Sequence, residues 1–172
     1  MKLNEFNRER QEVEKKIIEE AIEMIEKDKL YLDDIIVVAS ENWHHGVIGI
    51  VSSKITETYY KPSILISIED GVGKGSGRSI DGFDLHGALT KCSELLDKFG
   101  GHEMAIGLSI NVEKIDEFKE TIKRITSQTI DKEAAPKLKI DALLPPKEIS
   151  FKMIKSIQLL EPYGEANHPP IF

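Results

Sequence analysis

A single cysteine, Cys92, serves all 172 residues. That scarcity excludes a disulfide framework and any cysteine-rich zinc site. Long apolar runs are missing too. The longest, Ile35 to Ala39, falls far short of the roughly 20 residues a membrane-spanning helix needs. The first residues, MKLNEFNRERQEVEKK, contain no apolar core of the kind a secretory signal carries. A reducing, cytoplasmic setting with no membrane is therefore expected. No internal repeat, low-complexity tract or long block of one charge interrupts the chain, and proline and glycine punctuate rather than dominate.

What is present is an ordinary globular composition, 40% apolar and 31% charged. The length suits one domain, or one domain with part of another. Folding should bury about 70% of the extended-chain surface. Acidic residues outnumber basic ones by 30 to 23, a net charge of −7 that counts against nucleic acid as a partner. The excess is distributed unevenly. Residues 1–34 carry −4, residues 35–110 carry −3, and residues 111–172 are balanced.

Glu5 to Lys29 reads as one long helix, with Val13, Ile17, Ala21 and Met24 on a helical stripe and Ile18, Ile22 and Ile25 beside it. A rod of about 37 Å is long for a helix serving only a small domain, so it reads either as a surface helix or as a connector. Ile35–Ser40 is a continuous apolar run, expected as a strand buried on both faces. Gly46–Tyr60 follows as a helix and Ser63–Ile68 as a second strand, a β-α-β start that implies a parallel pair. Gly73–Ser79 is glycine-rich and either turn-like or extended. Asp84 is placed to cap a helix over Leu85–Lys98, with Gly100 as its terminating glycine. Ala105–Ile110 reads as a strand and Val112–Gln128 as an amphipathic helix. Asp131–Pro136 reads as a linker, Lys137–Leu144 as a strand, and Ser150–Leu160 as a short helix. The pattern predicts an α/β fold with a mixed, partly parallel sheet flanked by helices.

Three stretches have the residue types for chemistry. Gly71-Val-Gly73-Lys-Gly75-Ser-Gly77-Arg78-Ser79 matches neither the P-loop spacing nor G-x-G-x-x-G. It offers glycine-loosened backbone, two hydroxyls and the only arginine between Arg10 and Arg124. That combination suits either a bidentate phosphate contact or a flexible turn with a surface arginine. Phe99-Gly100-Gly101-His102 has one glycine more than a helix cap requires, and Gly107 within a strand marks close approach of a ligand or another backbone. His102 would then donate to a phosphate or assist at a scissile bond. Trp43-His44-His45-Gly46 lies between a buried strand and a helix N-terminus, a natural place for an anion. Adjacent histidines do not share a ligand on a helix, and the five histidines with Cys92 fit no zinc spacing.

Taken together the stretches are far more specific. W-H-x-G-V-I-G-I-V-x-S at Trp43–Ser53, G-x-G-S-G-R-S at Gly73–Ser79 and F-G-G-H-x-x-A-x-G at Phe99–Gly107 occur in this order. The set resembles the RecJ-type single-stranded-DNA exonucleases of the DHH phosphoesterase family, and specifically their DHH-associated domain. The tail, with Leu159, Leu160, Pro162, Gly164, Asn167 and Phe172, is similar to the start of the family's OB-fold domain. The first helix resembles the connector between the family's catalytic domains. Asn42 and His45 depart from the usual residues of that loop, where Gly and Pro are common.

The resemblance implies a division into a connector helix (1–33), a DHH-associated substrate-binding domain (34–130), and a linker with the start of an OB-fold domain (131–172). It implies single-stranded DNA as the partner, gripped through Ser76, Gly77, Arg78, Ser79, Gly100, Gly101 and His102. His102 would assist catalysis, and Trp43, His44 and Gly46 would form a further loop contact. The family's Mn²⁺ or Mg²⁺ ligands belong to a DHH domain, and no Asp-His-His occurs in this sequence. No metal is therefore expected on this chain, which alone should be inactive and a fragment at both ends. Two alternatives remain at this level. One is a phosphodiesterase of the same family acting on short oligoribonucleotides or cyclic dinucleotides. The other is a non-catalytic interaction domain that self-associates or docks through a partly uncovered Val13–Ile25 stripe.

Overall fold

The computed structural model describes Lys2–Asp131, Leu138–Gly164 and Ala166–Phe172. These residues fall into two units, residues 1–135 and 136–172.

The first unit is a five-stranded sheet with helices on both faces. Its strands are β1 (Ile36–Ser40), β2 (Ser63–Glu69), β3 (Val72–Arg78), β4 (Lys98–His102) and β5 (Ala105–Asn111), in the spatial order β1-β2-β3-β5-β4. β1 and β2 are parallel and every other pair is antiparallel, so the sheet is mixed. The parallel pair needs a crossover, supplied by α2 (Ile48–Tyr59). α1 (Lys2–Lys27) packs with α2 on one face. α3 (Leu85–Thr90) and α4 (Ile115–Thr129) cover the other.

Two cores result, because successive strand residues point to opposite faces. Ile35, Val37, Ile64, Ile66, Ile106, Leu108 and Ile110 meet Leu85, Leu89, Phe118 and Ile122 on the α3/α4 face. Ile36, Val38 and Leu65 meet Val51 and Ile55 of α2 and Ile17, Ala21 and Ile25 of α1 on the other. The i,i+4 spacing of Ile17, Ala21 and Ile25 aims all three at α2, and all are buried. The Val13–Ile25 stripe is partly covered: Val13 stays exposed at 39%, Ile18, Ile22 and Met24 are half-buried, and Ile17, Ala21 and Ile25 are core.

The helix expected over Leu85–Lys98 is shorter. Asp84 does cap α3, accepting from the Gly87 amide at 2.9 Å. The helix ends at Thr90, a 3-10 turn follows at Ser93–Leu95, and β4 begins at Lys98. Gly100 is accordingly the middle of a strand, paired with Gly107, and not a helix cap. Pairing with β5 overrides the local helical pattern, because it satisfies the backbone groups of Lys98–His102 that the helix would have used.

Cys92 is buried in the α3/α4 core, and its thiol donates to the Ala88 and Leu89 carbonyls. Burial pushes its pKa from the ordinary value near 9 up to about 11. The fold thus favours the neutral thiol, so this contribution to stability is complete below pH 9 and is lost as the pH rises towards 11. At pH 8 a thiol reagent should label the folded chain at least about tenfold more slowly than the urea-unfolded chain. Equal rates would show that the thiol is accessible.

In the second unit, α5 (Phe151–Gln158) is capped by Ser150, whose hydroxyl accepts from the Met153 amide at 3.3 Å. The strand expected at Lys137–Leu144 does not form over the described residues 138–144. Leu138, Ile140 and Leu143 stay exposed. Asp141 instead ties to Ile171, through amide and carboxylate bonds both of 2.9 Å. Except for Asp131, the expected linker at Asp131–Pro136 lies outside the described residues.

Candidate nucleic-acid interface

The face of the sheet that carries α1 and α2 is only half covered. α2 lies over β2 and the Ser76–Arg78 end of β3, and α1 covers β1, whereas Lys74 of β3 and the same face of β5 and β4 are largely open to solvent. Register fixes what this open face displays. Arg78, Ala105 and His102 form one cross-strand row. Ser76, Gly107 and Gly100 form the next. Lys74, Ser109 and Lys98 form the third.

Seven candidate residues from two contiguous stretches are thereby sorted by the period of two. Ser76, Arg78, Gly100 and His102 share the open face. Gly77 and Ser79 are buried on the other side, so their expected contact role is corrected; Gly101 is exposed but its Cα faces away from the open side. A Cβ on Gly77 would lie 2.8 Å from Ile106 Cδ1, inside the α3/α4 core. Gly73 and Gly75 face the same way, where added Cβ atoms would sit 2.8 Å from Ile66 and from Leu108. The three glycines make room for large aliphatic side chains, a packing role that glycine-loosened backbone did not suggest. Ser79 is buried, and its hydroxyl donates to the Phe83 carbonyl at 2.7 Å. Gly101 has φ of +136°, and a Cβ there would lie 2.2 Å from the Ala105 carbonyl oxygen.

Arg78 sits at the edge of α2. Its Nη1 donates to the Gly77 carbonyl at 2.8 Å and to Ser76 Oγ at 3.3 Å. A Cβ on Gly49, in the first turn of α2, would lie 3.1 Å from Ser76 Oγ and 3.5 Å from Arg78 Nη2. Glycine at 49 is what lets the helix start come this close. The first turn of α2 carries no acidic side chain, and no side chain caps it. Its free amides and the positive end of its dipole therefore add to the guanidinium field. Beneath α2, the hydroxyls of Ser52, Thr56 and Ser63 form a buried cluster, and Thr56 Oγ1 donates to the Arg78 carbonyl at 3.4 Å. This cluster fixes the backbone from which the guanidinium extends. Gly49 and Ser52 carried no distinguishing signal in the sequence beyond their place in a motif, and Thr56 and Ser63 lie outside all three motifs.

His102 is exposed at the sheet edge. The Met104 amide donates to its Nδ1 at 3.3 Å, which leaves Nε2 as the protonated nitrogen of the neutral ring, free to donate outward. It stands two strands from Arg78, about 10 Å at the usual strand spacing. Gly100 and Gly107 lie between the charged rows, and a Cβ on Gly100 would meet nothing within 4 Å. The floor there is bare backbone.

The loop before α2 divides. Trp43 is 4% exposed, packs in the α1/α2 core and donates from Nε1 to Glu20 Oε2 at 2.9 Å. Its expected ligand contact is corrected, because its ring and N–H are both used internally. His44 and Gly46 are exposed and line a groove with Phe6, Glu9, Arg10 and Val13 of α1. The His44 and His45 rings stack at 5.1 Å rather than converge on a common point. Among the described residues no three His, Cys, Asp or Glu side chains cluster as a metal site would require. No helix among them is long and apolar enough to cross a membrane.

Residues 32–128, more than half of the chain, match the DHHA1 domain. The chain belongs to the DHHA1 domain family. In this DHHA1 chain, residues 140–172 match the RecJ OB domain. It is 36% identical over 171 residues to the single-stranded-DNA-specific exonuclease RecJ of Bacillus subtilis, covering 98% of this chain and 22% of that protein. With Escherichia coli RecJ it is 31% identical over 179 residues, covering 99% and 31%. The crystal structure of Thermus thermophilus RecJ in complex with Mg²⁺ superposes with a TM-score of 0.83 at 28% identity, over 99% of this chain and 26% of that one. The DHHA1 chain thus spans between about a fifth and a third of the length of these relatives.

Proposed function

We propose that this chain is the strand-binding portion of a RecJ-like single-stranded-DNA exonuclease. Metal-dependent hydrolysis of the phosphodiester would be carried out with a DHH domain outside these 172 residues, and the chain alone binds without cutting. The observation that carries the reading is the co-facial placement of Ser76, Arg78, Gly100 and His102 beside the start of α2. Similarity to RecJ over nearly the whole chain supports the choice of substrate.

In this reading one phosphate near the 5′ end sits against the α2 N-terminus. Arg78 supplies charge and paired donors, Ser76 a hydroxyl, and Gly49 the space for close approach. His102 donates from Nε2 to a neighbouring phosphate oxygen over the bare Gly100 floor. The divalent ion, Mn²⁺ or Mg²⁺, would act from the partner domain, and nothing on this chain is assigned to hold it. The setting is proposed as cytoplasmic, in DNA repair and recombination.

Two measurements on the 172-residue chain test this. A 5′-phosphorylated 20-mer of single-stranded DNA should bind more tightly than a dinucleotide or a cyclic dinucleotide. Stronger binding of the short ligands would transfer the chain to a short-oligonucleotide phosphodiesterase. With Mn²⁺ present, the 20-mer should remain intact above background, and robust cleavage would overturn the assignment of hydrolysis to another domain.

A further inference from the structure

The third row of the open face has no part in the phosphate grip just described. Lys74 on β3 and Lys98 on β4 flank Ser109 on β5, and the register brings them together from positions 24 residues apart. Both lysines are exposed, and neither ammonium group has a hydrogen-bond or ion-pair acceptor among the described residues. Four ionisable side chains stand on the three rows, Arg78, His102, Lys74 and Lys98, and none is acidic. This occurs in a chain whose acidic residues outnumber its basic ones by 30 to 23. Between the outer rows lies the Ser76–Gly107–Gly100 row, the smallest side chains available.

We infer that Lys74 and Lys98 form a second phosphate-binding row for the same strand, so that the face holds a single-stranded nucleic acid at two points. This rests on the strand-binding function proposed above. The outer rows are four residues apart along the strands, about 14 Å at ~3.4 Å per residue. That separation spans about four nucleotides at the ~3.4 Å rise of a stacked strand. A dinucleotide would reach only the Arg78 row, whereas a longer strand crosses both. The low middle row lets the sugar-phosphate chain lie against the sheet between its two anchors. The three rows display no Phe, Tyr or Trp, so the face grips phosphate without stacking bases, and binding through it is indifferent to base sequence.

Salt dependence reads the number of phosphates neutralised. For single strands the slope of log K against log salt changes by about 0.7 per phosphate contact. The test measures binding of a 5′-phosphorylated dT12 by fluorescence anisotropy across salt concentration. It compares the unchanged chain, the Lys74→Gln/Lys98→Gln double variant, the Lys74→Arg/Lys98→Arg double variant and Arg78→Ala. The glutamine pair should flatten the slope by about 1.4, and the arginine pair should keep it. If the glutamine pair retains the original slope while Arg78→Ala loses affinity, the second row is overturned and the strand-binding function stands. If the unchanged chain does not bind, or Arg78→Ala binds as well as it does, that function fails and the second row with it. Both lysines are exposed, so the glutamine pair should unfold at the urea midpoint of the unchanged chain. A slope lost together with that midpoint, and not restored by arginine, counts against the row.

Discussion

Replacing Arg78 by alanine should weaken binding of a 5′-phosphorylated single strand by about 1.5–3 kcal/mol, the range for hydrogen bonds to charged groups. That is roughly a 10- to 150-fold rise in dissociation constant at fixed salt. The size of the effect follows from how the guanidinium is held. Nη1 is committed to the Gly77 carbonyl and Ser76 Oγ, which fixes the plane of the group. Nη2 lies beside the first turn of α2, where the absence of a side chain on Gly49 lets Ser76 and Arg78 approach the helix start. Little side-chain entropy is then lost on binding, and the helix dipole adds to the charge. Arg78→Lys should recover only part of the loss, because an ammonium group cannot keep the internal contacts and present paired donors together. A fluorescence-anisotropy titration decides it, and an unchanged affinity would remove Arg78 from the interface.

A larger effect on stability is expected two strands away. Gly101→Ala forces an L side chain into φ of +136° and drives its Cβ to 2.2 Å from a backbone oxygen that cannot swing aside. Backbone strain costs ~1–3 kcal/mol, and steric overpacking a similar ~1–3 kcal/mol. The combined loss should be on the order of 3 kcal/mol, or else β4 should detach from β5 locally. The neighbouring Gly100→Ala is the control, since its Cβ enters open space and should change stability by under about 1 kcal/mol. Urea unfolding followed by circular dichroism compares the two directly. Equal midpoints would contradict the distinction drawn between a glycine required by the fold and a glycine that keeps the binding floor low.

That distinction lies beyond the reach of the sequence. Two adjacent glycines before a histidine look alike in one dimension. Only the pleat of β4 separates them, one towards the open face and one against the β5 backbone. The same holds for Gly73, Gly75 and Gly77, which resemble a ligand loop until β3 is placed between β2 and β5 and their Cα atoms are found under Ile66, Leu108 and Ile106. Trp43 reads as a loop contact because it stands beside polar residues, yet its indole completes a core to which Glu20 of α1 contributes the hydrogen-bond acceptor.

Some features depend on near neighbours, and these were legible in the sequence. The stripe of α1, the amphipathic pattern of α4 and the Asp84 cap are set within one or two helical turns, so local pattern suffices for them. The β1-α2-β2 start and the three motifs were readable for the same reason, and the motifs pointed to Ser76, Arg78 and His102. Only the tertiary structure decided that residues 98–102 are a strand rather than the end of a helix. Backbone pairing with β5 has no local signature. It also decided the electrostatics. A net charge of −7 averages over the whole chain, whereas a binding face is defined by the few side chains that register brings side by side. Arg78 and Lys74 on β3, and Lys98 and His102 on β4, are scattered in sequence and become one basic strip because strands two positions apart in the sheet present matching residues to the same side.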